Sequence, residues 1–137
     1  YKSIKSIKVD AGSGDDWVSV FFDTDEVNAL LDINGGSGYD RLSMRTDETN
    51  IDLSLYMKHF DNFELYSFIN SNPQTITIDA EDFIEVSSSY LAIIGGTEDT
   101  VILPDGAVED TSLVNANYDY YTLNDVTIAI HDDLMIG

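Results

Sequence analysis

Two stretches decide the fold: Ala11-Gly12-Ser13-Gly14-Asp15-Asp16-Trp17-Val18-Ser19 and Gly35-Gly36-Ser37-Gly38-Tyr39-Asp40-Arg41-Leu42-Ser43. Apart from Ala11 in the first position, both fit the nonapeptide pattern G-G-x-G-x-D-x-U-x, with U a large aliphatic residue. Asp10 and Asn34 stand in the same place just before each turn. Glycine lets a backbone turn tightly at positive φ and leaves its carbonyls open. The Asp that follows adds a carboxylate. The aliphatic residue two positions later starts a strand and points into a core. A turn of this kind can bind a metal while the next strand builds a β layer.

Carbonyls and carboxylates are hard oxygen donors, and calcium takes roughly six to eight of them. The charge of the chain fits that demand. Its 137 residues carry 26 acidic and 6 basic side chains, a formal net charge of −20. Lys2, Lys5 and Lys8 hold half of the basic residues, so from position 9 onward 3 basic face 26 acidic residues, a net −23. A compact domain so charged repels itself, and divalent cations are the simple compensation. The bland alternative is a surface kept soluble by acid, with ordinary β-turns whose Asp side chains bond their own backbone.

The rest of the chain reads as strands. Segment 17–22 is rich in β-branched and aromatic residues, and segments 27–33, 41–44, 75–78, 91–94 and 100–103 read as further strands. Ile51, Leu53 and Leu55 alternate with Asp52 and Ser54, the pattern of a half-buried strand. Residues 60–65 continue in extended style. Asp79 with Glu81 and Asp82 predicts a short helix to about residue 87. Asn124-Asp125 between 118–123 and 126–130 predicts a hairpin. No linker or low-complexity segment interrupts the chain, so residues 1–137 read as one domain. It is expected to be mainly β, with one short helix.

The composition excludes several functions. Nucleic-acid binding needs clustered Lys and Arg, and an anionic membrane would repel this chain. Cysteine is absent, so there is no disulfide framework, thiolate zinc site or cysteine nucleophile. No apolar run is long enough to span a bilayer, and no signal peptide is visible at the N-terminus. His59 and His131 show no ligand spacing. Ser13 and Ser37 lie in G-S-G turns, not in a nucleophile elbow. Carboxylate pairs are too many for one to be singled out as catalytic. The chain is read as a non-enzyme.

The two nonapeptides resemble the RTX repeats of proteins exported by type I secretion. Downstream, Ile51-Asp52-Leu53, Asp61-Asn62-Phe63-Glu64, Thr75-Ile76-Thr77-Ile78-Asp79-Ala80-Glu81-Asp82, Ile93-Ile94-Gly95-Gly96 with Asp99-Thr100-Val101, and Tyr118 with Tyr121 follow in the order of a module near the C-terminal end of giant RTX adhesins. The resemblance covers about residues 9 to 131. It implies a calcium-bound β-roll or β-solenoid-like segment merging into a β-sandwich-like part, with calcium between stacked turns, export in the unfolded state, and folding outside the cell at the bacterial surface.

Carried over by position, the metal ligands are the carboxylates of Asp16 and Asp40. Carbonyls of Ala11, Gly12, Ser13 and Gly14, and of Gly35, Gly36, Ser37 and Gly38, complete the shell, with Asp10, Asp15 and Asn34 as helpers. Two departures are plain. The turns are 24 residues apart (Asp16 to Asp40), whereas same-side turns of a regular roll recur after two nonapeptides, about 18 residues. Segment 23–28 must therefore make an irregular turn. Gly95-Gly96-Thr97-Glu98-Asp99 resembles a shortened copy and reads as a structural turn.

The function implied is a calcium-stabilised structural or adhesive module of a secreted surface adhesin, active in cell adhesion and biofilm, which supports the ligand-binding region. Its partners are neighbouring domains of the same adhesin, with a cell-surface peptide or glycan as a further candidate, and a monomer is expected. The alternative is that the domain is itself a calcium-dependent peptide- or glycan-binding module.

Overall fold

A computed structural model describes residues 6–21, 30–57, 59–68, 72–79 and 90–137. In chain order the strands are β1 (Ser6–Asp10), β2 (Trp17–Phe21), β3 (Leu30–Asn34), β4 (Arg41–Arg45) and β5 (Asn50–Asp52). Helix α1 (Leu53–Met57) follows, then β6 (Phe60–Asp61), β7 (Leu65–Phe68), β8 (Thr75–Thr77), β9 (Tyr90–Gly95) and β10 (Thr100–Ile102). The last strands are β11 (Val108–Glu109), β12 (Tyr118–Leu123), β13 (Val126–His131) and β14 (Met135–Ile136). The chain is mainly β.

Three sheets take these strands in turn. Their orders are β1-β3-β6, β5-β8-β10-β14 with β14 outermost, and a large sheet β2-β4-β7-β9-β13-β12-β11. Every pair in the first two sheets is parallel, and so are the large-sheet pairs from β2 to β13. Among the described strands, antiparallel pairing is confined to β11-β12 and β12-β13. The chain visits one sheet, turns, visits the next, and returns one strand further along. Strands downstream of the glycine turns join these same sheets.

Register explains why the passes stack. In the large sheet Val18 aligns with Leu42, Leu42 with Tyr66, Tyr66 with Ile93, and Ile93 with Ile130. In the second sheet Ile51, Ile76, Val101 and Ile136 align in the same way. Each pass thus places an apolar side chain over the one before it. Leu42, Ile76, Leu91, Ile93, Val101 and Ile128 have no exposed surface. Burying one such side chain is worth about 1.5–3 kcal/mol. A one-residue slip would turn every one of them outward, so the pattern locks the register.

Several sequence-based expectations change here. Residues 51–55 were expected to form a strand, but β5 ends at Asp52 and α1 begins. Leu53, Tyr56 and Met57 stand at i, i+3 and i+4 and are all buried, so helical spacing serves the core better than alternation. Residues 60–65 are not continuously extended. Asn62 takes φ 58° and breaks the run between β6 and β7. The hairpin at Asn124-Asp125 is present, with φ 49° and 66° at its two central residues, as a type I′ turn requires. The helix expected after Asp79 and the irregular turn at 23–28 fall outside the described residues.

Candidate metal site at the stacked glycine turns

The two nonapeptide turns lie directly on one another despite their 24-residue spacing. Trp17 pairs with Arg41, and Asp10 with Asn34, so the turns between them are in register. Between those strands Ala11 N–H donates to Asn34 O (2.9 Å), Ser37 N–H to Gly12 O (3.0 Å) and Gly14 N–H to Ser37 O (2.9 Å). Ser13 and Ser37 form an isolated parallel bridge. The turns are therefore held by a backbone ladder of their own.

Glycine is required for this contact. Gly36 and Gly38 have φ 95° and 135°, and a Cβ on either would overlap the carbonyl oxygen of Gly12 or Gly14. Gly35 is crowded as well, since a Cβ there would overlap Asn62 O and lie 2.8 Å from Asp40 Oδ2. Carbonyl oxygens of the first turn thus sit against the Cα atoms of the second.

Asp16 and Asp40 come together across the stack. Asp16 N–H donates to Asp40 Oδ1 at 2.8 Å. The other oxygen, Asp40 Oδ2, is buried with no hydrogen-bond partner, and so is Asp16 Oδ2. Asp40 as a whole is completely buried. A buried carboxylate oxygen without a donor is costly, and native structures normally supply a partner. Two of them, one pass apart beside the stacked turns, are unsatisfied hard oxygen acceptors of the kind a divalent cation takes. Among the described residues no three Asp, Glu or His side chains converge as a metal cluster, so a cation here would rely on the carbonyls for most of its shell.

Other expected helpers have different tasks. Asn34 Oδ1 accepts Gly36 N–H (2.9 Å) and Asn62 Nδ2–H (2.8 Å), which braces the second turn against the third pass. Asp15 Oδ1 accepts Tyr39 N–H at 2.9 Å. Asp10 is exposed at the end of β1.

One member escaped the sequence reading. Glu64 Oε2 accepts Asp40 N–H at 2.8 Å, just as Asp40 Oδ1 accepts Asp16 N–H. Positions 16, 40 and 64 form one carboxylate ladder with a constant step of 24. That equal spacing was the available signal. It was hidden because the third turn, Asp61-Asn62-Phe63-Glu64, has lost the glycines and three residues of loop.

The shortened turn at Gly95-Gly96 works differently. Asp99 Oδ2 accepts Gly96 N–H (2.7 Å) and its Oδ1 accepts Gln74 N–H (2.8 Å). Both oxygens are satisfied by backbone, in keeping with a structural turn. Gln74 Nε2 in turn donates to Thr46 O (3.1 Å) and Glu48 O (2.8 Å), tying three passes together.

Tyrosines crowd the outer face of the large sheet. Tyr39 and Tyr90 rings lie 6.4 Å apart, and Tyr118 meets the His131 ring edge-on at 5.2 Å. Burial, with Tyr90 and Tyr118 beside it, pushes the Tyr39 hydroxyl up to about 12. Burial also raises Tyr56, Tyr90, Tyr118 and Tyr121. No helix among the described residues is long and apolar enough to cross a membrane. Comparison with protein-family models, curated proteins and solved structures finds no match for this chain.

Proposed function

We propose that this chain is a calcium-stapled structural module of a secreted bacterial adhesin of the RTX type, with the parallel passes forming a short β-solenoid. The observation that carries the reading is the pair of buried, partnerless oxygens Asp16 Oδ2 and Asp40 Oδ2 at the stacked glycine turns. Asp16 and Asp40 would hold the ion, with carbonyls of turns 11–14 and 35–38 around it. Calcium would supply charge compensation and no chemistry. The turns would then close only where calcium is abundant, which couples folding to arrival outside the cell. A chain without cysteine has no disulfide to staple it, and a metal serves that purpose.

The test is a calcium titration of the purified chain, read by circular dichroism and by fluorescence of Trp17, its single tryptophan. Wild type should gain stability with calcium, and an Asp16→Ala/Asp40→Ala double variant should gain much less. Equal stability in calcium and in chelator would overturn the proposal.

A further inference from the structure

Both arginines of this acidic chain stand on one strand and one face. In β4, Leu42 and Met44 point into the core, so Arg41 and Arg45 point outward. In β2, Val18 and Val20 pack against the core, so Trp17 and Phe21 point outward beside them. Register places Trp17 against Arg41 and Phe21 against Arg45. The outer face of this sheet edge therefore repeats one unit twice, an aromatic ring next to a guanidinium. The two units are about 13 Å apart along the strand.

These side chains are prepared but not used. The Arg41 guanidinium lies 4.6 Å from the Trp17 ring centroid and donates to Ser67 Oγ (3.2 Å), while its Nε is buried without a partner. Trp17 Nε1–H donates to Ser43 Oγ at 2.7 Å, which fixes the indole. Neither arginine forms an ion pair with any described residue; Lys8 does, with Asp32. In a chain with 26 acidic residues, two arginines without a carboxylate are conspicuous. Trp17 and Phe21 are 65% and 74% exposed, on a strand that ends its sheet.

We infer that this face binds an acidic glycan, a polymer with one uronic acid sugar in each repeat. Each repeat of such a polymer offers a flat C–H surface for a ring and a carboxylate for a guanidinium, which pairs with it in a fork. The protein's surface repeats the same two features. An acidic peptide carries its carboxylates on flexible arms and offers no flat apolar face to Trp17 and Phe21. The net charge of −20 opposes any polyanion at long range, but the Debye length of about 8 Å at physiological salt screens distant carboxylates. The inference goes beyond the calcium reading and does not need it.

The test uses the full chain and a hyaluronan hexasaccharide, followed by Trp17 fluorescence and calorimetry, in calcium and in chelator. A neutral oligosaccharide of equal length and an oligoglutamate are the controls. The uronate oligomer should bind at least about tenfold more tightly than either control. Arg41→Gln/Arg45→Gln should weaken it roughly tenfold to a hundredfold, and the double lysine variant should recover part of the loss. Arg45→Gln alone, at an exposed position, should weaken binding with the fold intact by circular dichroism. No binding by wild type, or undiminished binding by the glutamine variants, overturns the inference. Equal binding of oligoglutamate overturns it in favour of an acidic-peptide site. Failure of the calcium reading would appear in the thermal scans, independently of these affinities.

Discussion

Asp40→Asn separates a metal ligand from a structural carboxylate. The change is nearly isosteric. It keeps Oδ1, which accepts Asp16 N–H, and alters only the oxygen that has no partner. In chelator the variant should be as stable as wild type or more so, because an uncompensated buried oxygen has been removed. In calcium it should lose its advantage.

The size follows from linkage. Extracellular calcium modules bind with dissociation constants of about 10⁻⁴ to 10⁻³ M. At about 10 mM calcium that gives wild type roughly 1.4–2.7 kcal/mol. With an unfolding entropy of about 2.1 cal/mol/K per residue, a chain of 137 residues should gain about 5–9 °C in Tm. Scanning calorimetry of both proteins, with calcium and with chelator, measures it. The variant should show less than half of the wild-type shift. If Asp40→Asn keeps the full shift, Asp40 is not a ligand. If it is equally destabilised under both conditions, the carboxylate is structural and the reasoning fails.

Asp99→Asn is the contrasting case, since both of its oxygens accept backbone N–H groups; it should cost about 1–3 kcal/mol by urea unfolding, the same with and without calcium. Gly12→Ala and Gly36→Ala should differ sharply although both glycines have positive φ. At Gly12 a Cβ meets nothing within 4 Å and only about 1–2 kcal/mol of backbone strain applies, whereas at Gly36 it overlaps the Gly12 carbonyl, so the second loss should be at least double the first. Leu42→Ala, at a fully buried rung of the large sheet, should cost about 2–5 kcal/mol, read by the same method. Alkaline pH should also destabilise the fold. Tyr39, pushed up to about 12 in the folded state, and Tyr56, Tyr90, Tyr118 and Tyr121, also raised, keep their protons after an unfolded tyrosine has begun to lose its own. The stability they contribute is intact below about pH 10 and is lost as pH rises toward 12, so Tm should fall across that window, and less steeply in Tyr39→Phe.

Much of the strand content was legible, and the reason is periodicity. Val18, Val20, Leu42 and Met44 alternate with polar or exposed neighbours, so β2 and β4 could be read directly. The stacking partner of each turn was legible from the repeated glycines. What was not legible depended on tertiary contact. Residues 53–57 satisfy strand and helix spacing equally well, and only the shape of the core selects α1. The role of Glu64 was hidden because its turn has no glycine, and a backbone bond from Asp40 N–H reveals it. The face shared by Trp17, Arg41, Phe21 and Arg45 needed the register between β2 and β4, which no local pattern states.

One kind of side chain does opposite work at two corners of the stack, and counting partners tells them apart. Asp99 and Asp40 each follow a glycine turn, each is almost wholly buried, and each accepts a backbone N–H from the preceding pass. Asp99 then turns its second oxygen back onto Gly96 N–H, three residues earlier, and closes its own loop. Asp40 cannot do this. Its turn is longer by one residue, with Ser37, Gly38 and Tyr39 between the glycine pair and the carboxylate, and the N–H of Gly36 is already taken by Asn34 Oδ1. The longer loop leaves Asp40 Oδ2 facing the backbone of Gly35, with the Asn62 carbonyl on the same side. A buried carboxylate oxygen without a donor is an acceptor for which native structures normally supply a further partner. Under the proposed function that partner is calcium, so the longer glycine turn is the one whose stability should depend on the ion, and the shorter one is not.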